Sequence, residues 1–234
     1  MGSDRRETGR SLPVGGVGRL RGKSVGGVGF LGNLEKYIFQ MNRSEVFDYL
    51  AGLICGDGSF WYSVNDRTYH VYVYDKDKTF LETIAKICRE FLNVKSIRIR
   101  KLHSKNSYEL ELKGSTIYHE LSRRINKLLV DPNIPFIRGL TDAEGSLYYS
   151  NTITLEITNT EEYIITAIHK VLEEHNIKHF IVKEKRKSPR KDIIKVRVRG
   201  WSNVTRFVQI IQPIHPKIKD KFSLLSKNLK SSLI

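Results

Sequence analysis

The spacing of apolar residues along the chain changes period in a regular order. From Ser44, placed as an N-cap, Val46, Phe47, Leu50, Leu53 and Ile54 fall at helical intervals. Aromatic and β-branched residues then crowd Phe60 to Val64 and Tyr69 to Tyr74, parted by the polar Asn65-Asp66-Arg67, which predicts a hairpin. Asp77 is suited to cap a helix whose Phe80, Ile84, Ile87, Cys88 and Phe91 share one face. A second hairpin is expected from Ser96 to Leu102 and Tyr108 to Lys113, across Ser104-Lys105-Asn106. Ser115 then opens a helix with Ile117, Leu121, Ile125 and Leu128 on its apolar side.

The second half repeats this order. Pro135 suits a first helical turn, and strands are expected near Leu147 to Ser150 and Ile153 to Thr158. Thr158 to Glu161 has capping-box spacing ahead of a helix carrying Ile164, Ala167, Ile168, Val171 and Leu172. Strands near Phe180 to Lys185 and Asp192 to Arg199 precede a helix with Val204, Phe207, Val208 and Ile211, which Pro213 and Pro216 end. A last amphipathic helix groups Ile218, Phe222, Leu225 and Leu229. The expected fold class is α+β, with two tandem αββαββα repeats of roughly 90 to 100 residues. The first covers 44–132 and the second, with its C-terminal helix, 133–234. Residues 1–43 lack this pattern: 10 of the 17 glycines fall before residue 33, and a flexible basic extension is expected. Its Asp4 and Glu7 argue against an amphipathic targeting helix.

Charge narrows the partners. The formal net charge of +15, from 40 Lys plus Arg against 25 Asp plus Glu, calls for a polyanion or an acidic membrane surface. No apolar run approaches bilayer length, so nucleic acid is preferred over membrane. Two cysteines, Cys55 and Cys88, without a CxxC spacing point to a reducing compartment and no structural zinc. A prokaryotic cytoplasm is expected, in a thermophilic archaeal host by the abundance of Lys, Arg, Ile and Tyr, with an organelle as the alternative.

The candidate chemistry lies in a phrase written twice. Leu50-Ala51-Gly52-Leu53-Ile54-Cys55-Gly56-Asp57-Gly58-Ser59 returns 87 residues on as Ile137-Arg138-Gly139-Leu140-Thr141-Asp142-Ala143-Glu144-Gly145-Ser146. Gly52 and Gly56, and Gly139 and Ala143, stand i, i+4 on their helices, so each presents a stripe nearly free of side chains and the two can approach closely. Asp57 and Glu144 would then meet at two negative helix ends, with Gly58 and Gly145 permitting a sharp exit. Two such carboxylates repel each other, which raises a pKa or demands a hard cation. Mg²⁺, with Mn²⁺ able to substitute, fits a site of carboxylate oxygens, water and the carbonyls of Gly56 and Ala143, and suits phosphodiester hydrolysis. A single copy would be an ordinary helix end; two in register favour a shared site.

The doubled phrase resembles the paired motifs of the LAGLIDADG homing endonucleases, of the single-chain, two-motif kind, from about Ser44 to the C-terminus. The resemblance implies a pseudo-two-fold monomer whose motif helices form the interface between two curved four-stranded antiparallel sheets that straddle duplex DNA. It also implies cleavage of both strands at a long asymmetric site, with staggered ends and Mg²⁺, as in intron homing. By motif position Asp57 and Glu144 correspond to the catalytic metal-binding acids, and Gly56 and Ala143 to the preceding carbonyls. Cys55 stands where the family name has Asp.

Period-2 alternation adds a surface. In Lys195-Val196-Arg197-Val198-Arg199 the valines face inward and the basic residues outward, and Arg98 and Arg100 alternate with Ile97 and Ile99. These, with Tyr69, His70 and the basic run containing Lys183 and Lys185, are the candidate DNA contacts, to base edges or phosphates. For any one of them a solvated strand face is the simpler description; their concentration favours binding. Lys113 and Arg199, each before a glycine at the end of a fourth strand, are candidates to stabilise charge on the scissile phosphate, or to anchor a phosphate only. Asp75 and Asn159 match across the halves as candidates to orient attacking water. The rival readings are an RNA-binding intron maturase or a non-cleaving DNA-binding regulator on the same scaffold, neither of which needs the acids, and a generic basic RNA-associated protein.

Overall fold

The structure is a computed structural model and describes residues 41–102 and 106–231. Most of the expected basic extension, and part of the turn at Ser104-Lys105-Asn106, lie outside the described residues. The extension's boundary moves: Met41 is already buried, and Asn42 rather than Ser44 caps the first helix. Asn42 accepts from the Ser44 and Glu45 amides, while Glu45 accepts from the Asn42 amide at 2.8 Å, a complete capping box.

The first unit runs α1 (Arg43–Asp57), β1 (Gly58–Ser63), β2 (Thr68–Asp75), α2 (Lys78–Leu92), β3 (Ser96–Leu102), β4 (Ser107–Lys113) and α3 (Ser115–Val130). The second repeats it with α4 (Ile134–Glu144), β5 (Gly145–Tyr149), β6 (Ile153–Asn159), α5 (Glu162–Glu174), β7 (Phe180–Glu184), β8 (Ile193–Arg199) and α6 (Trp201–Ile211), and α7 (Pro216–Ser231) follows. Each unit holds an antiparallel four-stranded sheet, in the orders β1-β2-β4-β3 and β5-β6-β8-β7. Asp77 caps α2 as expected, accepting from the Thr79 and Phe80 amides. The capping box expected at Thr158 to Glu161 does not form. Thr158 stays in β6, and the turn into α5 is made by Asn159, whose Oδ1 accepts from the Glu161 amide at 2.9 Å.

One face of each sheet packs on helices and supplies the core, with Val71, Val73, Leu110 and Leu112 in the first unit and Leu155, Ile157, Val196 and Val198 in the second. Helices α1 and α4 make the most extensive helix contact among the described elements and join the units. Their closeness depends on glycine. A Cβ on Gly52 would lie 2.0 Å from the Phe136 carbonyl oxygen, and one on Gly139 2.1 Å from that of Tyr49, so no larger residue fits. At their N-terminal ends Asp48 ties the units, receiving Arg124 from α3 and the Asn133 amide at 2.8 Å. Ile218 of α7 is fully buried and Phe222 and Leu225 pack on the core's edge; the Leu229 side chain lies outside the described residues. No helix among the described residues is long and apolar enough to cross a membrane.

Candidate functional site

Helices α1 and α4 end at Asp57 and Glu144, and their packing brings these ends together. A Cβ on Gly56 would stand 2.5 Å from that of Ala143 and 3.1 Å from Cγ of Glu144. Both chains then enter strands directly. Gly58 and Gly145 make the expected abrupt exit, from helix to strand with no intervening residue, in extended rather than left-handed backbone. They are small for lack of room: a Cβ would meet Tyr72 O at 2.7 Å at Gly58, and Thr141 O at 2.3 Å at Gly145.

Asp57 lines an open cleft of ≈ 910 Å³ together with Asp75, His215 and Lys217, and Glu144 is less exposed than Asp57. Loss of solvent raises both carboxyls. Asp57 moves above the usual range, restrained by Lys217. Glu144 is pushed up to about 7 by burial and then by the Asp57 charge, against the opposing pull of Lys217 and Asn159. Asn159 Nδ2 donates to Glu144 Oε1 at 3.0 Å. Its counterpart Asp75 faces His215 instead, at 3.0 Å. Burial opposes the Asp75 charge, but the His215 bond and the Asp77 amide outweigh it and leave that carboxyl below its usual range.

The residues that the sequence reading missed come from the segment after α6. Lys217 Nζ donates to the Ala143 carbonyl, one of the expected metal ligands. The Lys217 amide donates to His215 Nδ1 at 3.0 Å, so a neutral His215 carries its proton on Nε2, toward Asp75. This segment is held by Asp142, the buried residue matching Cys55 in the first phrase. Asp142 accepts from the Ile214 and His215 amides, each at 3.0 Å, and from the Tyr49 hydroxyl at 2.9 Å. Burial raises the Asp142 carboxyl, and these donors oppose the rise. One signal was present: an acid inside an otherwise apolar helix stretch needs a partner.

Lys113 and Arg199 are not at this site, which corrects the reading of both as catalytic. Asp75, beside the acids, pairs with Tyr108, whereas Lys113 pairs with His70, five residues along. That places Lys113 about 17 Å away along the strand. Arg199, opposite Thr154 when Asn159 is opposite Ile194, is equally far.

The open faces of the sheets are mixed in charge. Arg98, Arg100, Lys195 and Arg197 do lie there, as do Lys113 and Arg199. Yet Arg100 is bound to Glu109 and Arg197 to Glu156, each at 2.6 Å, and Lys195 to Glu184. His70 shares this face but is buried, with Glu111 at 2.6 Å and Thr68 at 2.7 Å. Two candidates face the other way. Tyr69 packs edge-on against Tyr118 and at a tilt against His119 of α3, with ring centroids 5.0 and 4.9 Å away, and Lys183 pairs with Glu162 at the start of α5. Lys185 is exposed in the loop after β7.

Family models match both halves: a WhiA LAGLIDADG-like domain over residues 47–129 and a LAGLIDADG-like domain over residues 131–212. The chain belongs to the LAGLIDADG family. Among solved structures, I-DmoI in complex with DNA and Ca aligns with a TM-score of 0.62 at 22% identity, covering 80% of this LAGLIDADG chain and 100% of that one. Mesophilic variants of the homing endonuclease I-DmoI align with a TM-score of 0.60 at 23% identity, covering 76% and 99%. Full-length DUF199/WhiA from Thermatoga maritima aligns with a TM-score of 0.53 at 18% identity, covering 84% and 66%. No curated protein matches the sequence. These likenesses show that the LAGLIDADG fold is shared.

Proposed function

We propose that this protein is a metal-dependent endonuclease that cuts duplex DNA, acting as a monomer with an internal pseudo-two-fold. The observation that carries this reading is the meeting of Asp57 and Glu144 at abutting helix ends, with Glu144 pushed up to about 7. The fold gains nothing from two acids in mutual repulsion, whereas a hard divalent cation removes the conflict. The acids, the Gly56 and Ala143 carbonyls and water would hold Mg²⁺ or Mn²⁺. The cation would neutralise charge on the scissile phosphate and lower the pKa of a bound water. Asn159 orients Glu144, and His215 and Asp75 border the Asp57 side of the cleft. Lys217 holds the Ala143 carbonyl and is the cation placed to move onto a phosphate there. Unlike sheets in the two units suit a long asymmetric target, cut with staggered ends as in the homing of an encoding intron.

Two observations favour a second reading, a DNA-binding regulator without cleavage. Lys217 already supplies a positive charge beside both acids, and the first unit matches a WhiA LAGLIDADG-like domain. One experiment separates the two. Duplexes selected from a randomised pool by binding in Ca²⁺ are challenged with Mg²⁺. The endonuclease reading expects staggered cuts by the wild type and binding without cutting by Asp57→Asn and Glu144→Gln. Selected duplexes that are bound and never cut by the wild type would establish the regulator instead.

A further inference from the structure

Away from the acids, three side chains of the second unit converge where α5 ends and β7 begins. His169 and Glu173 stand i, i+4 on α5, on one face of the helix, and His179 immediately precedes β7. One ligand atom from each lies within 4.8 Å of the others. His169 Nδ1 and His179 Nε2 are 2.8 Å apart, and Glu173 Oε1 is 3.9 Å from His179 Nε2.

The His179 ring is already oriented. Its Nδ1 lies 2.8 Å from the Ile177 carbonyl oxygen, which can only accept, so Nδ1 carries the proton. In the neutral ring Nε2 then presents its lone pair to His169 and Glu173. A second-sphere carbonyl fixing the tautomer of a ligating histidine is the usual support of a metal site. The His179 side chain is only 3% exposed, whereas His169 and Glu173 are exposed and free to adjust. Tetrahedral Zn²⁺ with bonds of about 2.05 Å needs ligand atoms about 3.3 Å apart, and the present separations of 2.8 and 3.9 Å bracket that value.

We propose that His169, Glu173 and His179 bind one divalent transition metal of the Zn²⁺ class, with water in the fourth position. Two imidazoles and a carboxylate suit Zn²⁺ and disfavour Mg²⁺, which prefers oxygen, so this centre differs in chemistry from the acid pair. On binding, the His169 Nδ1 proton leaves for its exposed Nε2, and both imidazoles coordinate as neutral ligands. The metal would clamp the last turn of α5 to the edge strand β7, and it requires no reading of the acid site. The cysteine spacing gave no structural zinc site; these residues form one without cysteine.

The test is calorimetry with Zn²⁺ on the EDTA-stripped full chain carrying Asp57→Asn and Glu144→Gln, which removes the acid pair as a competing site. One equivalent is expected, with affinity lowered roughly 100-fold by His169→Ala. Bound Co²⁺ should show the strong visible absorption of a tetrahedral site. Because His179→Gln alters a buried side chain, exposed His169 and Glu173 carry the test, with circular dichroism confirming that their variants fold. Absence of Zn²⁺ binding, or binding undiminished in both His169→Ala and Glu173→Gln, overturns the proposal.

Discussion

At the level of single residues, the raised carboxyl of Glu144 links stability to pH. It titrates at about 7 in the folded protein against 4.5 in an unfolded chain. Between those values the native state binds the proton that the unfolded state has lost, so the stability of the metal-free protein falls as pH rises through this window. Above pH 7 the loss is complete, on the order of 1 to 2 kcal/mol once solvent screening is allowed for. Glu144→Gln in EDTA should therefore melt a few degrees above the wild type at pH 8 and show little difference at pH 4.5. Thermal melts across that range check this, and a flat difference would remove the raised carboxyl. Added Mg²⁺ should stabilise the wild type and leave the variant unmoved. The acids themselves were legible in the sequence because each closes a repeated phrase. Lys217 and His215 were not, because no local spacing predicts that the chain after α6 returns to the end of α4.

At the level of elements, α1 and α4 have no slack. A methyl group added at Gly52 meets a backbone oxygen of the partner helix, which cannot rotate away. Gly52→Ala should cost about 3 kcal/mol or more, read as a lower urea midpoint for both units together, since the same helices contribute to both cores. The turn into helix α7 is held by Asp142. Asp142→Asn keeps the size but loses the charge that faces two amides and the Tyr49 hydroxyl. A loss of about 2 to 4 kcal/mol is expected, with hydrogen exchange accelerated at Ile214 and His215 and in the first turn of α7. Element order was readable from hydrophobic period because helix and strand patterns alternate without interruption. Boundaries were less so: Asn42 and Ser44 are both good caps, and only the reciprocal bond with Glu45 chooses between them. The pairing of β4 against β2, and of β8 against β6, was not readable from either half alone. Lys113 and Arg199 were placed beside the acids because they precede matching glycines, and register carries both to the opposite ends of their sheets.

For the whole molecule, a charge of +15 overstates what the open sheet faces present to a polyanion. Glutamates share that face: Glu109 and Glu111 alternate with Leu110 and Leu112 in the same parity as Lys113, and Glu156 lies opposite Arg197. Each bound arginine is held in place by its glutamate and must exchange that partner for a phosphate or base. The salt dependence of duplex binding reports such exchanges, since log K falls with log salt by about 0.9 per phosphate neutralised. Arg199→Gln, on the open face, should flatten the slope by about 1, whereas Lys183→Gln, on the helix side with Glu162, should leave it unchanged. Glu156→Gln releases Arg197 and should strengthen nonspecific binding while steepening the slope by up to about 1. Fluorescence anisotropy on one labelled duplex at several salt concentrations measures all three. Equal effects from Lys183 and Arg199 would mean that DNA does not lie along the open faces, because strand parity puts Arg199 on that face and Lys183, paired with Glu162, on the helix side.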